Sequence, residues 1–241
     1  MAAAILCALV VPATSTAAIR VLERLNFESG NLRQWDDIQA LPGRVGVVTW
    51  PRKQGRYAAR FVVRPGDDPI NASGNRAEAF ELTGERQGIA SWWRWSTRFP
   101  RGFRPIMGDW NIFTQWHHSG ATCQPNVTFH VERTSRRAYL GVNVRGGRLN
   151  VGNCTTGSFR RWRLAPLRRA RWHTFVFHVK WSSDPNVGFV EVWLNGRKRI
   201  RRTHLATLYT GQFVYVKQGY ARNYSSRTHV VFHDGLIRFR R

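Results

Sequence analysis

The chain has 241 residues, enough for one sizeable domain with a packed core. It carries 38 basic residues against 14 acidic ones, a formal charge of +24, and nearly all of the basic residues are arginines. Guanidinium groups bind planar anions in a bidentate way, so the balance favours a polyanionic partner. A genomic preference for arginine codons would also explain part of the excess, since the arginines are spread along the whole chain.

The first 17 residues carry no charged side chain and contain a short apolar run. Small residues at Ser15 and Ala17 suit cleavage after Ala17, so we expect a signal peptide over 1–17 and a secreted protein. The apolar run is too short to span a bilayer, and no membrane association is expected. The remainder, 18–241, shows no linker, low-complexity tract or clear repeat, which predicts a single domain.

Two cysteines remain after Cys7 leaves with the signal peptide, namely Cys123 and Cys154. An even pair in an exported protein predicts a disulfide, and a loop of about 30 residues would stabilise the fold by roughly 3–4 kcal/mol in the chain-entropy model. The alternative is two free buried thiols. Neither cysteine has the spacing of a zinc site.

Strand signals dominate the rest of the chain, because apolar and polar residues alternate in short runs separated by turn residues. The clearest runs are 60–63, 88–96, 127–131, 138–144, 172–181, 188–194 and 229–233. The Asn195-Gly196 dipeptide between two such runs predicts a hairpin. Many short strands without a long amphipathic helix predict an all-β fold, a two-sheet sandwich or jelly roll.

Three further segments place polar side chains two residues apart, a spacing that puts both on one face of a strand. The pairs are Gln115 with His117 and Arg76 with Glu78, and the third segment is the run 215–222. In a regular strand Asn75 faces away from Arg76. Each pair alone is also compatible with an ordinary polar strand face or a structural ion pair.

The chain resembles polysaccharide lyases of the heparin lyase I-like group, which share a concanavalin A-like β-jelly roll with glucuronan lyases and some alginate lyases. The resemblance covers most of the mature chain. It rests on the order of Phe27-Glu-Ser-Gly30, 66–78 with its Arg76-Ala-Glu78, Ile112-Phe-Thr-Gln-Trp-His117, 172–181, 189–196, Lys217-Gln-Gly-Tyr-Ala-Arg222 and Phe232-His-Asp-Gly235. It implies β-elimination from an acidic polysaccharide that contains uronate.

Such a reaction removes the C5 proton beside a uronate carboxylate and expels the oxygen at C4. It needs groups that hold the carboxylate, a base and an acid. The resemblance implies that Gln115 and Arg76 hold the carboxylate, with Glu78 orienting the arginine. It implies His117 as a base, whose ordinary pKa lies near neutrality.

The same resemblance implies that Tyr220 protonates the leaving oxygen, and it leaves open which of His117 and Tyr220 is the base. Lys217 and Arg222 would support charge and bind substrate, with Asn75 as a further candidate. Alternation places Tyr220 opposite Lys217, so both reach one face only if Gly219 forms a bulge. The alternative is a buried Tyr220 with a bonded hydroxyl.

No cofactor is required for this chemistry. Glu28 and Asp234 lie near the two ends of the mature chain, and many relatives hold a structural calcium with oxygen ligands, so these two are candidate ligands. The alternative is that each carboxylate caps a turn. The histidines have no metal-ligand pattern, so zinc chemistry is not expected.

Three other functions compete with a lyase. A glycoside hydrolase needs two placed carboxylates, and the Glu-x-Asp-x-x-Glu strand of jelly-roll glucanases is absent. The high positive charge is also compatible with nucleic-acid binding, but the sequence contains no zinc-finger, helix-turn-helix or ribonucleoprotein motif. A non-catalytic module that binds acidic polysaccharide is the main alternative to a lyase. We expect an acidic polysaccharide as partner, and a monomer.

Overall fold

The computed structural model describes residues 19–120 and 123–240, and the predicted signal peptide lies outside these residues. In the described part all regular elements are β-strands, which confirms the all-β prediction. They are β1 (Arg20–Leu25), β2 (Asp37–Gln39), β3 (Val45–Val48), β4 (Ala58–Val63), β5 (Asn75–Glu85), β6 (Ala90–Arg98), β7 (Asn111–His118), β8 (Val127–Arg133), β9 (Ala138–Asn150), β10 (Thr155–Pro166), β11 (Trp172–Lys180), β12 (Phe189–Leu194), β13 (Arg197–His204), β14 (Val214–Arg222) and β15 (His229–Arg240).

The strands form two antiparallel sheets that pack as a sandwich, as expected for a jelly roll. One sheet has the order β13-β12-β11-β6-β15-β4-β3, with β1 also paired to β15. The other has the order β10-β9-β8-β7-β14-β5-β2. Sequence neighbours are often separated in space, so β14, near the end of the chain, lies between β7 and β5.

Aromatic side chains fill the space between the sheets. Trp93 and Trp95 from one sheet contact Trp116 from the other, with ring centroids 5.3 and 5.7 Å apart in edge-to-face geometry. Phe129 packs edge-on against Trp95 at 4.8 Å. Rings packed in this way contribute energy beyond the area they bury. The core tryptophans therefore serve packing and are not available to stack on a sugar.

Two local predictions are confirmed. Asn195 and Gly196 both have positive φ angles, 52° and 77°, and close the β12–β13 hairpin. Cys123 and Cys154 are bonded, with their Cα atoms 5.4 Å apart, and tie the segment after β7 to the β9–β10 hairpin.

Among the described residues, no helix has the length and apolar character to cross a membrane.

Candidate active site

One row of side chains crosses the whole seven-stranded sheet, because six successive cross-strand pairs share partners. In order from β2 to β10 it holds Asp37, Phe80, Lys217, Gln115, Thr128, Asn143 and Arg161. Directly paired residues point to the same face of a sheet. The neighbouring row of Val216, Trp116 and Val127 lies in the core. The first row therefore lies on the outer face of the sheet.

Arg76, Glu78 and Gln115 meet on this outer face. Gln115 Nε2 donates to Glu78 Oε1 over 2.5 Å, and Arg76 Nη1 lies 3.6 Å from Glu78 Oε2. All three residues are less than 10 % exposed, so this part of the face is recessed. Glu78 fixes the amide and the guanidinium. Arg76 Nε is buried without a hydrogen-bond partner, and the Gln115 amide has a second N–H. Two donors thus remain for an incoming carboxylate.

His117 lies two residues further along β7 on the same face. Its Nδ1 donates to the carbonyl oxygen of His118 at 3.0 Å, since a carbonyl can only accept. The lone pair of the neutral ring is therefore on Nε2. Burial lowers the pKa of the His117 imidazole to about 3, and the Lys217 and Arg76 cations act in the same direction. At neutral pH the ring is uncharged and able to accept a proton.

Tyr215 and Lys217 complete the outer face from β14. The Tyr215 ring stacks on His117 with centroids 5.5 Å apart, and Lys217 Nζ lies 5.8 Å from the centre of the Tyr215 ring. Burial, followed by the Glu78 charge, raises the pKa of the Tyr215 phenol to about 12. Burial lowers the pKa of the Lys217 ammonium, which Glu78 partly offsets. Tyr215 thus keeps its proton at neutral pH and can donate it.

The predicted position of Tyr220 on this face is wrong. β14 keeps regular register with β5 from Val216 to Arg222, so Tyr220 pairs with Ala77 and points into the core. Its hydroxyl donates to Asn111 Oδ1 at 2.9 Å, and burial raises the pKa of the phenol far above its ordinary value. Register against β7 does shift between Gln218 and Ala221, but this irregularity does not turn Tyr220 outward. The small side chain of Ala221 occupies the corresponding outer position.

The substrate-binding roles expected for Arg222 and Asn75 are also contradicted by their positions. Arg222 is fully buried and its Nη1 donates to Asn75 Oδ1 at 2.8 Å. The same guanidinium donates to the carbonyl oxygens of Asn223 and Arg227, at 2.9 and 2.8 Å. This arginine anchors the chain after β14. Its bonds are made within the protein, because alternation turns it to the same side as Tyr220.

Glu28 and Asp234 approach one loop, residues 53–57, from opposite ends of the chain. Asp234 Oδ2 accepts the backbone N–H of Lys53 at 2.5 Å and of Gln54 at 3.0 Å, and Glu28 accepts those of Arg56 and Tyr57. This arrangement fits carboxylates that cap a turn. Asp234 Oδ1 is buried without a hydrogen-bond partner and is the oxygen left for a cation. Across residues 19–120 and 123–240 no group of three metal-ligating side chains occurs, and calcium binding stays a prediction.

Sequence reasoning did not assign a role to Tyr215, which lies on the outer face. It also did not identify the β10 edge of that face. Tyr215 and Lys217 lie two residues apart and so share a face of β14, yet the resemblance implies Tyr220 as the acid. The signal for Tyr215 was the alternation itself. Arg145, Phe159 and Arg161, on β9 and β10, were not considered, because the arginine-rich β10 shows no clear apolar alternation.

A family model described as polysaccharide lyase matches residues 27–237, whereas no curated protein matches significantly. Among solved structures, an endo-β-1,4-glucuronan lyase from the fungus Trichoderma reesei is similar, with a TM-score of 0.71, 19 % identity, and 92 % of this chain and 94 % of that chain covered.

Two alginate lyases share the fold at lower similarity. The enzyme vAL-1 from Chlorella virus has a TM-score of 0.54 and 14 % identity, covering 92 % of this chain and 100 % of that chain. A variant of Aly36B, solved in complex with an alginate trisaccharide, has a TM-score of 0.54 and 12 % identity, covering 92 % and 98 %. At these identities the structures establish the fold, while the family model spans most of the chain. The chain belongs to the polysaccharide lyase family.

Proposed function

We propose that this polysaccharide lyase is secreted and cleaves a polymer containing uronate by β-elimination. The observation that carries the proposal is the gathering of two carboxylate-binding groups, Arg76 and Gln115, beside the neutral base His117 on one recessed face. The solved relatives are named for glucuronan and alginate, both of which are polymers of uronic acids.

The first step is neutralisation of the uronate carboxylate. The unpaired Arg76 Nε and the second N–H of Gln115 donate to it, and Lys217, the cross-strand partner of Gln115, adds a positive charge on the same face. Because the C5 proton becomes acidic only when the charge developing on the carboxylate is stabilised, these donors carry much of the rate acceleration. Glu78 holds the two donors in place and does not touch the substrate.

Proton transfer follows on the same face. His117 Nε2 takes the C5 proton, the electron pair forms the C4–C5 double bond, and the bond from C4 to the bridging oxygen breaks. The Tyr215 hydroxyl gives its proton to the leaving oxygen while Lys217 stabilises the phenolate, and the proton taken up by His117 then passes through water to Tyr215, which restores both groups. A substrate carboxylate also offsets the cations that lower the pKa of His117. Whether both residues are needed depends on whether the proton and the leaving oxygen lie on the same or opposite sides of the ring.

A non-catalytic binding module is the second candidate, and one observation favours it. Tyr220, the acid expected from the resemblance, lies in the core with its hydroxyl bonded to Asn111. If Tyr215 does not replace it, the same face would bind an acidic polysaccharide without cleaving it.

Ultraviolet absorbance of the mature protein mixed with a panel of uronate polymers tests the proposal, with glucuronan, alginate and a heparin-type chain measured with and without calcium. A neutral glucan serves as the control. We expect a rise from the unsaturated uronate on at least one acidic polymer. Binding to these polymers without a rise on any of them would replace the lyase with a binding module.

A further inference from the structure

An exposed aromatic ring lies between two arginines at the β10 edge of the outer face. Arg145 Cζ is 4.6 Å from the centre of the Phe159 ring, and Arg161 Cζ is 5.8 Å from it. Arg145 is the cross-strand partner of Phe159, and Arg161 ends the row that contains Gln115. Phe159 is 49 % exposed, which is unusual for a phenylalanine in a sheet. We refer to these three residues as the edge site.

Neither arginine of the edge site has its charge neutralised by a described carboxylate. Arg161 Nε donates to Asn143 Oδ1 at 3.1 Å, which orients the guanidinium and leaves its Nη groups for a ligand. Arg163, two residues along the same strand, is instead paired with Glu132 at 2.6 Å. On the outer face of β10, Arg163 is therefore neutralised by Glu132, whereas Arg161, beside Phe159, has no carboxylate partner among the described residues.

The histidine next to the edge site adds no charge to it, and the two arginines repel each other. Burial lowers the pKa of the neighbouring His130 imidazole to about 4, with Arg161 and Arg145 acting in the same direction, so this ring is neutral. Burial also lowers the pKa of the Arg145 guanidinium, and Arg161 contributes. Two like charges held beside one ring are costly unless an anion joins them, and a carboxylate would relieve this repulsion.

The edge site lies in line with the catalytic groups. Gln115, Thr128, Asn143 and Arg161 are successive cross-strand partners on β7, β8, β9 and β10. With strands about 4.8 Å apart, Arg161 stands on the order of 14 Å from Gln115 along the row. A pyranose unit of a 1,4-linked chain is comparable in length with one strand spacing. A polymer running across the strands would therefore place a sugar about three units away over Phe159.

We propose that Arg145, Phe159 and Arg161 form a remote subsite that binds the carboxylate and the ring face of a second uronate, about three units from the bond that is cleaved. The inference rests on the proposed function and adds that the substrate must be long enough to reach β10 and must carry a carboxylate there. Substrates with consecutive uronates that reach β10 are preferred over short oligomers and over chains in which a neutral sugar falls at that position.

The test compares a uronate polymer with a trimer of the same uronate, using the polymer that the wild-type protein cleaves. For Arg161→Gln, the ratio of kcat/KM on the polymer to kcat/KM on the trimer is expected to fall about tenfold, the size of one lost charge-assisted contact. Arg160→Gln is the matched control, because Arg160 pairs with the core residue Val144 and faces the other side. Its ratio should equal that of the wild type.

The subsite is overturned if Arg161→Gln and Arg160→Gln give the same ratio, or if Arg161→Gln slows polymer and trimer alike. Should the wild type cleave no polymer, the proposed function fails but the subsite is still tested by calorimetry. In that case Arg161→Gln must weaken binding of a uronate hexamer more than binding of a trimer, and equal weakening contradicts the subsite. Melting temperatures of both variants establish that the fold is intact.

Discussion

Side-chain alternation along β14 sets the chemistry available on the outer face. Tyr215 and Lys217 point outward beside His117, and Val216 and Tyr220 point into the core. Gly219 permits close approach of β5, since a Cβ there would lie 2.2 Å from the Ala77 carbonyl oxygen. A bulky residue at 219 would push β14 away from the strand that carries Glu78 and Arg76.

The base prediction concerns His117. His117→Gln keeps a side-chain donor for the His118 carbonyl but removes the basic Nε2, so turnover should fall by about 10²–10⁴-fold. Affinity for the polymer should change little, because the carboxylate is held by Arg76 and Gln115. Absorbance kinetics and calorimetry measure the two effects, and His204→Gln on the other sheet is the control. Turnover that survives the substitution would remove His117 from the mechanism.

At the scale of elements, the Cys123–Cys154 disulfide links the segment after β7 with the β9–β10 hairpin, so it restrains both the active site and the edge site. A loop of this length stabilises by roughly 3–4 kcal/mol. Reduction should therefore lower the melting temperature by about 6–16 °C. Calorimetry with and without reductant checks this, with a thiol assay as control. Free thiols at an unchanged melting temperature would contradict the stabilising role.

The turn capped by Asp234 predicts how the stability of the fold changes with pH when calcium is absent. Burial raises the pKa of the Asp234 carboxyl to about 6, so the folded state binds more protons than the unfolded state between about pH 4 and 6. This group therefore contributes less stability as pH rises through that window. Without calcium, Asp234→Asn should raise the melting temperature at pH 7.5, and the gain should vanish near pH 4.

Calcium separates the two interpretations of this turn. If Asp234 and Glu28 only cap the turn, added calcium leaves the melting temperatures of the wild type and Asp234→Asn unchanged. If they bind calcium, the wild type is stabilised by it and the variant is not. A calcium titration followed by calorimetry decides between them.

How far the sequence predicts the elements depends on the strand. β11 and β12 carry apolar side chains on the core face, and their predicted spans of 172–181 and 188–194 lie within a residue of those observed. β10 was missed because an edge strand exposes most of its arginines and so lacks a periodic apolar signal. The direction of the Tyr220 side chain was predicted wrongly, because a short motif specifies residue types and does not specify the strand register that decides which face each side chain points to.

For the whole molecule, sequence predicted the all-β sandwich. Spacing of two placed Gln115 with His117, and Arg76 with Glu78, on one strand face each, while the resemblance implied that the two pairs belong to one site. The sequence did not show that the Arg222 guanidinium donates its hydrogen bonds within the protein, since its partners lie in segments that come together only in the folded chain. Secretion, the domain limits at 18–241 and the monomeric state stay predictions.

The net charge of +24 has a consequence for association. A cavity of about 370 Å³ at the β8–β9 hairpin is lined by six arginines, Arg101, Arg104, Arg133, Arg136, Arg137 and Arg169. Long-range attraction of this kind raises association rates by about tenfold or more and is screened by salt. Association with a uronate polymer should therefore slow as salt rises, and less so in an Arg136→Gln/Arg137→Gln variant. Stopped-flow measurements check this, and salt-independent association in the wild type would contradict it.

The central claim is that the outer face, with Tyr215 and not Tyr220, carries the elimination. The most direct measurement is the initial rate of the absorbance rise for wild type, Tyr215→Phe and Tyr220→Phe on the polymer that the wild type cleaves. We predict that Tyr215→Phe lowers the rate by about 10²-fold or more, and that folded Tyr220→Phe stays close to the wild type. Loss of turnover in folded Tyr220→Phe, with full activity in Tyr215→Phe, would contradict the account.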